Sequence, residues 1–182
     1  LCVALGLNVS IILAVCYPPH FVNVGFSAAE AGWFLAFAGL FGLLGKSLVA
    51  WLGDAGHRYA RWLAVSLLSL QIVGLGLLLQ ADSVPSILLA MCFLGAGGGA
   101  ILPMHPYLNS RYFDASVIGA VNGAQMPLFL PLGLVGPPLA GLVFDRNGSY
   151  EWVLMSLMVV LLLAAVMAMA LPAVSRREAP GT

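Results

Sequence analysis

The chain has 182 residues, of which 62 % are hydrophobic and 8 % are charged, and its formal net charge is zero. A soluble domain is about half apolar and about a quarter charged, so this composition argues against a soluble globular enzyme. It also excludes a nucleic-acid binder, which needs a basic patch, and a disordered chain, which needs low hydrophobicity and high charge. The composition is that of a polytopic membrane protein.

Long apolar stretches predict helices that cross a bilayer, whose hydrocarbon core takes about 20 helical residues. We predict six spans, at residues 1–22, 28–52, 62–81, 85–109, 115–144 and 152–174. The runs are continuous rather than short and alternating, which sets a membrane β-barrel aside. The first span ends in a YPPH breaker at residues 17–20, and Ser27 and Glu30 form a capping box at the start of the second. The fifth span exceeds one crossing and carries prolines, so we expect it to kink.

Arginines in the short connections predict the orientation, because basic residues are enriched on the cytoplasmic side. The predicted connections alternate between two sides, and one side collects Arg58, Arg61, Arg111, Arg176 and Arg177. The other side collects Arg146, which lies beside acidic residues. We therefore expect both ends of the chain in the cytoplasm, in a plasma membrane or a bacterial inner membrane. Because residue 1 is Leu and the apolar run starts at once, we also expect a fragment of a longer protein.

Lys46 lies well inside the second predicted span, eight residues before Asp54. That spacing corresponds to about 12 Å along a helix from the cytoplasmic end. An ammonium group within the membrane usually faces a water-filled path or a partner. Alternatively, the long side chain carries the charge towards the interface. The residues leave both interpretations open.

Amides and a histidine are the other polar side chains of interest inside the spans. Asn8, Asn122 and Gln125 should each meet a neighbouring helix or an aqueous cavity, because an unpaired amide in hydrocarbon is costly. Interhelical hydrogen bonding and lining of a substrate path both remain open for them. His105 is either a proton relay, since an imidazole exchanges protons near neutral pH, or a structural histidine.

Small residues at three- and four-residue steps predict surfaces where membrane helices approach closely. Two such stripes are Gly32, Ala36, Gly39 and Gly42 in the second span, and Gly119 and Gly123 in the fifth. The GAGGG stretch at residues 95–99 lies inside a predicted membrane helix with no preceding strand. It therefore indicates flexibility or close packing rather than a nucleotide-binding loop.

Three stretches of the chain resemble the major facilitator superfamily. GKSLVAWLGD at residues 45–54, followed by Arg58 and Arg61, resembles the cytoplasmic loop signature of that family. GPPLAGLVFDRNGSY at residues 136–150 resembles the end of the eleventh helix in the monocarboxylate-transporter-like branch, and FSAAEAG at residues 26–32 fits the loop between helices seven and eight. The resemblance implies that the 182 residues are the C-terminal half of a twelve-helix transporter. The implied fold class is all-α, with the six spans as helices seven to twelve.

The resemblance also implies a binding site. In that branch a cation on helix eight engages the substrate carboxylate, four residues before a small residue and eight before a loop carboxylate. Lys46, Ala50 and Asp54 match these positions. Well-studied members also carry a carboxylate one turn before the cation, where this chain has Gly42. The implied function is secondary active transport of a small organic anion, a monocarboxylate, by alternating access.

These inferences combine into one prediction about the site. The predicted substrate-binding residues are Lys46, Tyr17, Asn8, Asn122 and Gln125. The predicted cytoplasmic gate consists of Asp54, Arg58 and Arg61, and His105 is the candidate proton relay. We expect no catalytic residue, metal or cofactor. The expected partners are the anion, a coupling proton, the lipid bilayer and an N-terminal six-helix half, with no nucleic acid.

Two other function classes remain open at this point. A six-span intramembrane enzyme, such as a rhomboid-like protease, would need a serine and a histidine that converge from two helices. The candidates are His105 with Ser10, Ser47, Ser66, Ser69 or Ser86, and none lies in a matching motif. A non-transporting receptor on the same scaffold would bind the substrate without moving it. We favour transport, so the chain is not predicted to be an enzyme, although a fold alone does not determine function.

Overall fold

The computed structural model describes residues 1–55 and 59–172, apart from the side chains of residues 53–55 and 130. This part of the chain is helical and contains no strand. The helices are α1 (Cys2–Asn23), α2 (Ala28–Ala55), α3 (Ala60–Leu78), α4 (Val84–Tyr112), α5 (Ile118–Gln125), α6 (Leu130–Asn147) and α7 (Glu151–Met169). Six segments are long and apolar enough to cross a membrane, with α5 and α6 together forming one of them. The predicted all-α, six-span fold class is therefore confirmed.

Most helix ends lie within about three residues of the predicted spans, and α1 and α7 show the differences that have a clear physical reason. Helix α1 continues through Pro18 and Pro19 to Asn23, so the predicted breaker lies inside the helix. Membrane helices tolerate such prolines because neighbouring groups satisfy the freed backbone. Helix α7 ends at Met169, short of the predicted residue 174, which lies outside the described residues. Pro172 explains the earlier end, since the residue before a proline disfavours helical conformation.

The predicted capping box at the start of α2 is present. The Ser27 backbone N–H and hydroxyl both donate to Glu30 Oε2, at 2.8 and 2.7 Å, and the Glu30 N–H donates to Ser27 Oγ at 3.3 Å. These bonds satisfy backbone donors that the first helical turn leaves unpaired. Helix α4 begins with a similar reciprocal arrangement between Ser83 and Ser86. Both helices therefore start where the local sequence supplies a cap.

The fifth span is broken, as its prolines predict. A 3₁₀ turn over Met126–Leu128 separates α5 from α6, and Pro127 lies within it. Pro131 occupies the first turn of α6, where a proline costs no intrahelical hydrogen bond. The α-helix is therefore interrupted just before Phe129, and residues on both sides of this break line the candidate site.

Helix α1 lies at the centre of the bundle and contacts α2, α4, α6 and α7. Helix α4 packs between α2 and α3, and α3 packs against α7. Much of α1 and α4 is buried, whereas most of α2 and of the α5–α6 span is exposed. The bundle thus presents one extended apolar face formed by α2, α5 and α6.

Glycines bring the backbones of α2 and α4 into direct contact. A Cβ added to Gly42 would lie 3.5 Å from the Gly99 Cα atom. A Cβ on Gly95 would overlap the carbonyl group of Ala38, and one on Gly45 would overlap the α4 backbone in the same way. The close-packing interpretation is therefore confirmed for Gly42 and for the GAGGG stretch.

For four other glycines the predicted helix contact is not made within the described part of the chain. A Cβ added at Gly32, Gly39, Gly119 or Gly123 would meet no atom within 4 Å. The physical reason is that these residues lie on the faces of α2 and α5 that have no neighbouring helix within the bundle.

Hydrogen bonds between helix ends hold neighbouring helices together at each end of the bundle. At one end the Arg61 guanidinium donates to the Leu171 carbonyl at 2.9 Å, and the Tyr112 hydroxyl donates to the Pro172 carbonyl at 2.8 Å. At the other end Asn23 Nδ2 donates to the Gly148 carbonyl at 3.2 Å. Gly148 follows α6 with a φ of 68°, in the left-handed region that favours glycine. The helices therefore alternate in direction, as the short connections predict.

Candidate functional site

Lys46 lies on α2 and lines two neighbouring cavities. The Gln71 cavity, of about 480 Å³, is lined by Ser10, Tyr17, Lys46, Gln71 and Gly98 among others. The His105 cavity, of about 750 Å³, is lined by Lys46, Pro103, His105, Asn122 and Phe129 among others. Lys46 therefore lies between the two cavities. Helices α1 to α4 form the walls of the first, and α4 and the α5–α6 break form most of the walls of the second.

The local sequence of α2 explains the position of this cation. Gly42 and Gly45 hold one side of the helix against α4, so the following residue stands at the edge of that contact. Lys46 itself is exposed. No acidic residue of the described chain lines either cavity. The site therefore carries a positive charge among mostly apolar walls.

A cluster of four polar side chains joins α4 to α5 beside the His105 cavity. Asn109 Nδ2 donates to Asn122 Oδ1 at 2.6 Å and to Gln125 Oε1 at 2.8 Å. His105 Nε2 is hydrogen-bonded to Gln125 Oε1 and lies 3.3 Å from Asn109 Nδ2. The His105 ring also packs edge-on against Phe129, with 4.6 Å between ring centroids. Asn122 and Gln125 thus make interhelical hydrogen bonds, and Asn122 lines the cavity as well.

Tyr17 is buried in the wall of the Gln71 cavity, on the same side of the bundle as Lys46. Its ring stacks on Phe21, with 6.2 Å between centroids. The structure therefore brings Tyr17 and Lys46 to one cavity, and Asn122 and Lys46 to the other.

Asn8 lies apart from these residues. Its Nδ2 donates to the Ala4 carbonyl at 2.8 Å, within α1, and its Oδ1 has no partner among the described residues. It lines a third cavity, of about 300 Å³, whose other walls come from α6 and α7. A Cβ added to Gly133 would lie 2.9 Å from Asn8 Oδ1, so this amide faces α6. The structure does not bring Asn8 together with Lys46.

Comparison with known proteins gives the family. The sequence model of the Major Facilitator Superfamily matches residues 1–182. The chain belongs to the major facilitator superfamily. It is 28 % identical over 143 residues to monocarboxylate transporter 12 of Rattus norvegicus, which covers 76 % of the chain and 29 % of the relative. It is 27 % identical over 143 residues to monocarboxylate transporter 12 of Homo sapiens, which covers 76 % of the chain and 27 % of the relative.

The matched chain spans less than a third of the length of these curated relatives. Family membership confirms the resemblance inferred from the sequence. Together with the six apolar helices, it makes this major facilitator superfamily chain an integral membrane protein.

The predicted gate residues of this superfamily chain are only partly described. Arg58 and the side chain of Asp54 lie outside the described residues. The Arg61 guanidinium donates to the Leu171 carbonyl at the end of α7 and lies 5.0 Å from the Trp62 ring centroid. Arg61 therefore links α3 to α7 at the predicted cytoplasmic end.

Sequence reasoning missed two amides at the site. Gln71, on α3, lines the Gln71 cavity and bonds Ser10, and Asn109 is the hub of the cluster between α4 and α5. The signal was present for both, since each is an amide within an apolar span and needs a partner there. Of the five serines considered for an enzyme, Ser10 bonds Gln71, whereas His105 bonds amides.

Proposed function

We propose that the chain is part of a secondary transporter that moves a small organic anion, a monocarboxylate, by alternating access. Membership of the major facilitator superfamily and similarity to proteins named monocarboxylate transporter 12 support this proposal. The observation that carries it is Lys46, a cation within an apolar span that borders two cavities.

The chemistry of the cavities favours an anion. An ammonium group in apolar surroundings is costly unless a negative group or water meets it. Because the described walls of both cavities carry no acid, we assign the neutralising charge to the substrate carboxylate. Tyr17 and Asn122 border the same spaces and would orient the substrate, while Gln125 would act through the polar cluster.

The exposed apolar face of α2, α5 and α6 supports a transporter built of two halves. The chain corresponds to under a third of the length of its relatives. We propose that an N-terminal six-helix half covers this face and that the two halves rock around a site near the membrane midplane. Asp54, Arg58 and Arg61 would latch the cytoplasmic side, and His105 would relay a coupling proton. Uptake by liposomes that contain only these 182 residues would contradict the need for a second half.

The test is uptake of radiolabelled monocarboxylates by the full-length protein in liposomes. Lys46→Ala should weaken substrate affinity about 10-fold or more, since a hydrogen bond to a charged group contributes about 1.5–3 kcal/mol. Lys46→Arg should retain part of the uptake because the charge remains. Ser47→Ala is the matched control, as this exposed neighbour bonds the Leu43 carbonyl of its own helix at 3.0 Å. Unchanged uptake and affinity in Lys46→Ala would refute the assigned site.

A further inference from the structure

Ser10 and Gln71 form a polar pair in the wall of the Gln71 cavity, which the proposed anion site does not use. Gln71 is 1 % exposed and lies on α3, away from the exposed face of α2, α5 and α6. Ser10 Oγ lies 3.0 Å from Gln71 Oε1 and 3.0 Å from the Gly6 carbonyl oxygen. Gln71 Nε2 is buried and has no hydrogen-bond partner among the described residues.

The Gln71 amide has hydrogens that no acceptor of the described residues uses. The Ser10 hydroxyl has one hydrogen, and two acceptors lie within its reach. The Gln71 amide has two hydrogens, and neither is used. The pair therefore retains an unused N–H donor on Gln71.

Glycines on α4 open the cavity to this pair. A Cβ added to Gly98 would lie 3.0 Å from Ser10 Oγ and 4.0 Å from Gln71 Oε1. A Cβ added to Gly97 would lie 2.9 Å from Gln71 Cγ. Because these two glycines have no side chain, Gln71 reaches from α3 past α4 to the Gln71 cavity, whose other walls come from α1, α2 and α4.

We infer that Ser10 and Gln71 form a second subsite, which donates a hydrogen bond to an acceptor oxygen of the transported solute. This inference rests on the proposed function, in which Lys46 binds the carboxylate of the same solute. The subsite favours an anion that carries a hydroxyl or carbonyl oxygen along its chain over the alkyl analogue of the same length. A site built to bond such an oxygen rejects the analogue because its own donor is then left unpaired.

The experiment compares uptake of pentanoate with that of 2-, 3- and 4-hydroxypentanoate by the full-length protein in one batch of liposomes. The ratio of their affinities does not depend on how much protein is folded. The wild type should prefer at least one hydroxypentanoate by about fivefold, the usual effect of one neutral hydrogen bond. Gln71→Met, which keeps the length and removes the donor, should abolish that preference. Gln80→Met is the control, because this exposed amide bonds the Gly76 carbonyl at 3.0 Å.

Gly98→Ala provides a second route to the same result, because its methyl group would enter the space beside Ser10 Oγ while Gln71 stays intact. It should also lower the preference for the hydroxypentanoate. Uptake of all four acids with the same ratios in wild type, Gln71→Met and Gly98→Ala would overturn the subsite alone and would fit a water molecule on the spare donor. Absence of uptake of every acid by the wild type would overturn the transport proposal and the subsite together.

Discussion

Asn109 holds the contact between α4 and α5 with a single amide. Its Nδ2 reaches Asn122 Oδ1 and Gln125 Oε1, and Gln125 Nε2 returns a longer bond of 3.4 Å to Asn109 Oδ1. Helix α5 has no buried residue of its own, so apolar packing contributes little to its position. Hydrogen bonds shielded from water therefore provide much of the stability of the contact between α4 and α5.

Asn109→Leu should lower the stability of the purified full-length protein in detergent by about 1–3 kcal/mol, because it removes the Asn109 donor from Asn122 Oδ1 and leaves Gln125 Oε1 with His105 alone. A double-mutant cycle with Gln125→Leu should give a coupling free energy of unfolding of about 0.5–3 kcal/mol in denaturation experiments. Asn147→Leu is the control and should change stability by no more than about 0.5 kcal/mol, since this exposed amide bonds Val143 of its own helix. Additive effects of the two cluster substitutions would mean that the amides do not act as a unit.

His105 is the residue whose proposed role concerns protons. It bonds Gln125 and borders the cavity that Lys46 shares, so a proton on its ring would add positive charge near the substrate. The proposed relay therefore predicts that an inward-directed proton gradient raises uptake by the full-length protein in liposomes. In His105→Gln this stimulation should be lost, while uptake without a gradient persists. Stimulation equal to that of the wild type would show that His105 does not relay the coupling proton.

At the scale of elements, the contact between α2 and α4 depends on the absence of side chains. Gly95 faces the Ala38 carbonyl and Gly42 faces Gly99, so the two backbones approach closely over more than one turn. Such an approach gains dispersion contacts where lipid offers no hydrophobic driving force. It also places Lys46 at the edge of the contact, beside both cavities.

Gly95→Ala should destabilise the protein by about 1–3 kcal/mol, because the added methyl group forces the α2 and α4 backbones apart. Gly76→Ala is the matched control on α3, where an added Cβ meets only the Met158 methyl group at 3.8 Å, an ordinary contact. It should leave stability unchanged or raise it by up to about 1 kcal/mol through helix propensity. Thermal unfolding of both variants of the full-length protein in detergent measures the difference. Equal shifts in the two variants would show that this contact is not tight.

At the scale of the whole molecule, the helix ends separate into two sides. Arg61 and Tyr112 bond the end of α7 on one side, and Asn23 bonds Gly148 on the other. The arginine-rich side of the sequence coincides with the first of these ends. We therefore expect that end to be cytoplasmic.

Cysteine labelling tests this orientation. Asp82→Cys, in the connection before α4, should react with a membrane-impermeant maleimide on intact cells, and Ser110→Cys, near the end of α4, should react only after permeabilisation. Both positions are exposed. The unsubstituted chain supplies the baseline, since Cys2 and Cys16 are buried and Cys92 is partly so. The reverse labelling pattern would invert the proposed topology.

Much of the architecture could be predicted because it depends on local properties. The length of each apolar run, the capping box at Ser27 and the prolines at 127 and 131 determine where helices cross, begin and break. Asn122 and Gln125 were predicted to need a partner, since an unpaired amide in hydrocarbon is costly, whereas Asn109 and Gln71 were missed. The partners themselves could not be predicted, because Asn109 and Gln125 meet across two helices whose relative rotation no local pattern encodes.

The amino-acid sequence by itself determined that this chain is an all-helical membrane protein of six spans with a lone lysine inside one of them, because hydrocarbon demands long apolar helices and makes every polar exception conspicuous. Only the tertiary structure decided that Lys46 borders two cavities, that Asn8 faces α6, and that Gln71 reaches a cavity past Gly98. Those outcomes depend on which helix faces meet, and that is set by the packing of segments far apart in the chain.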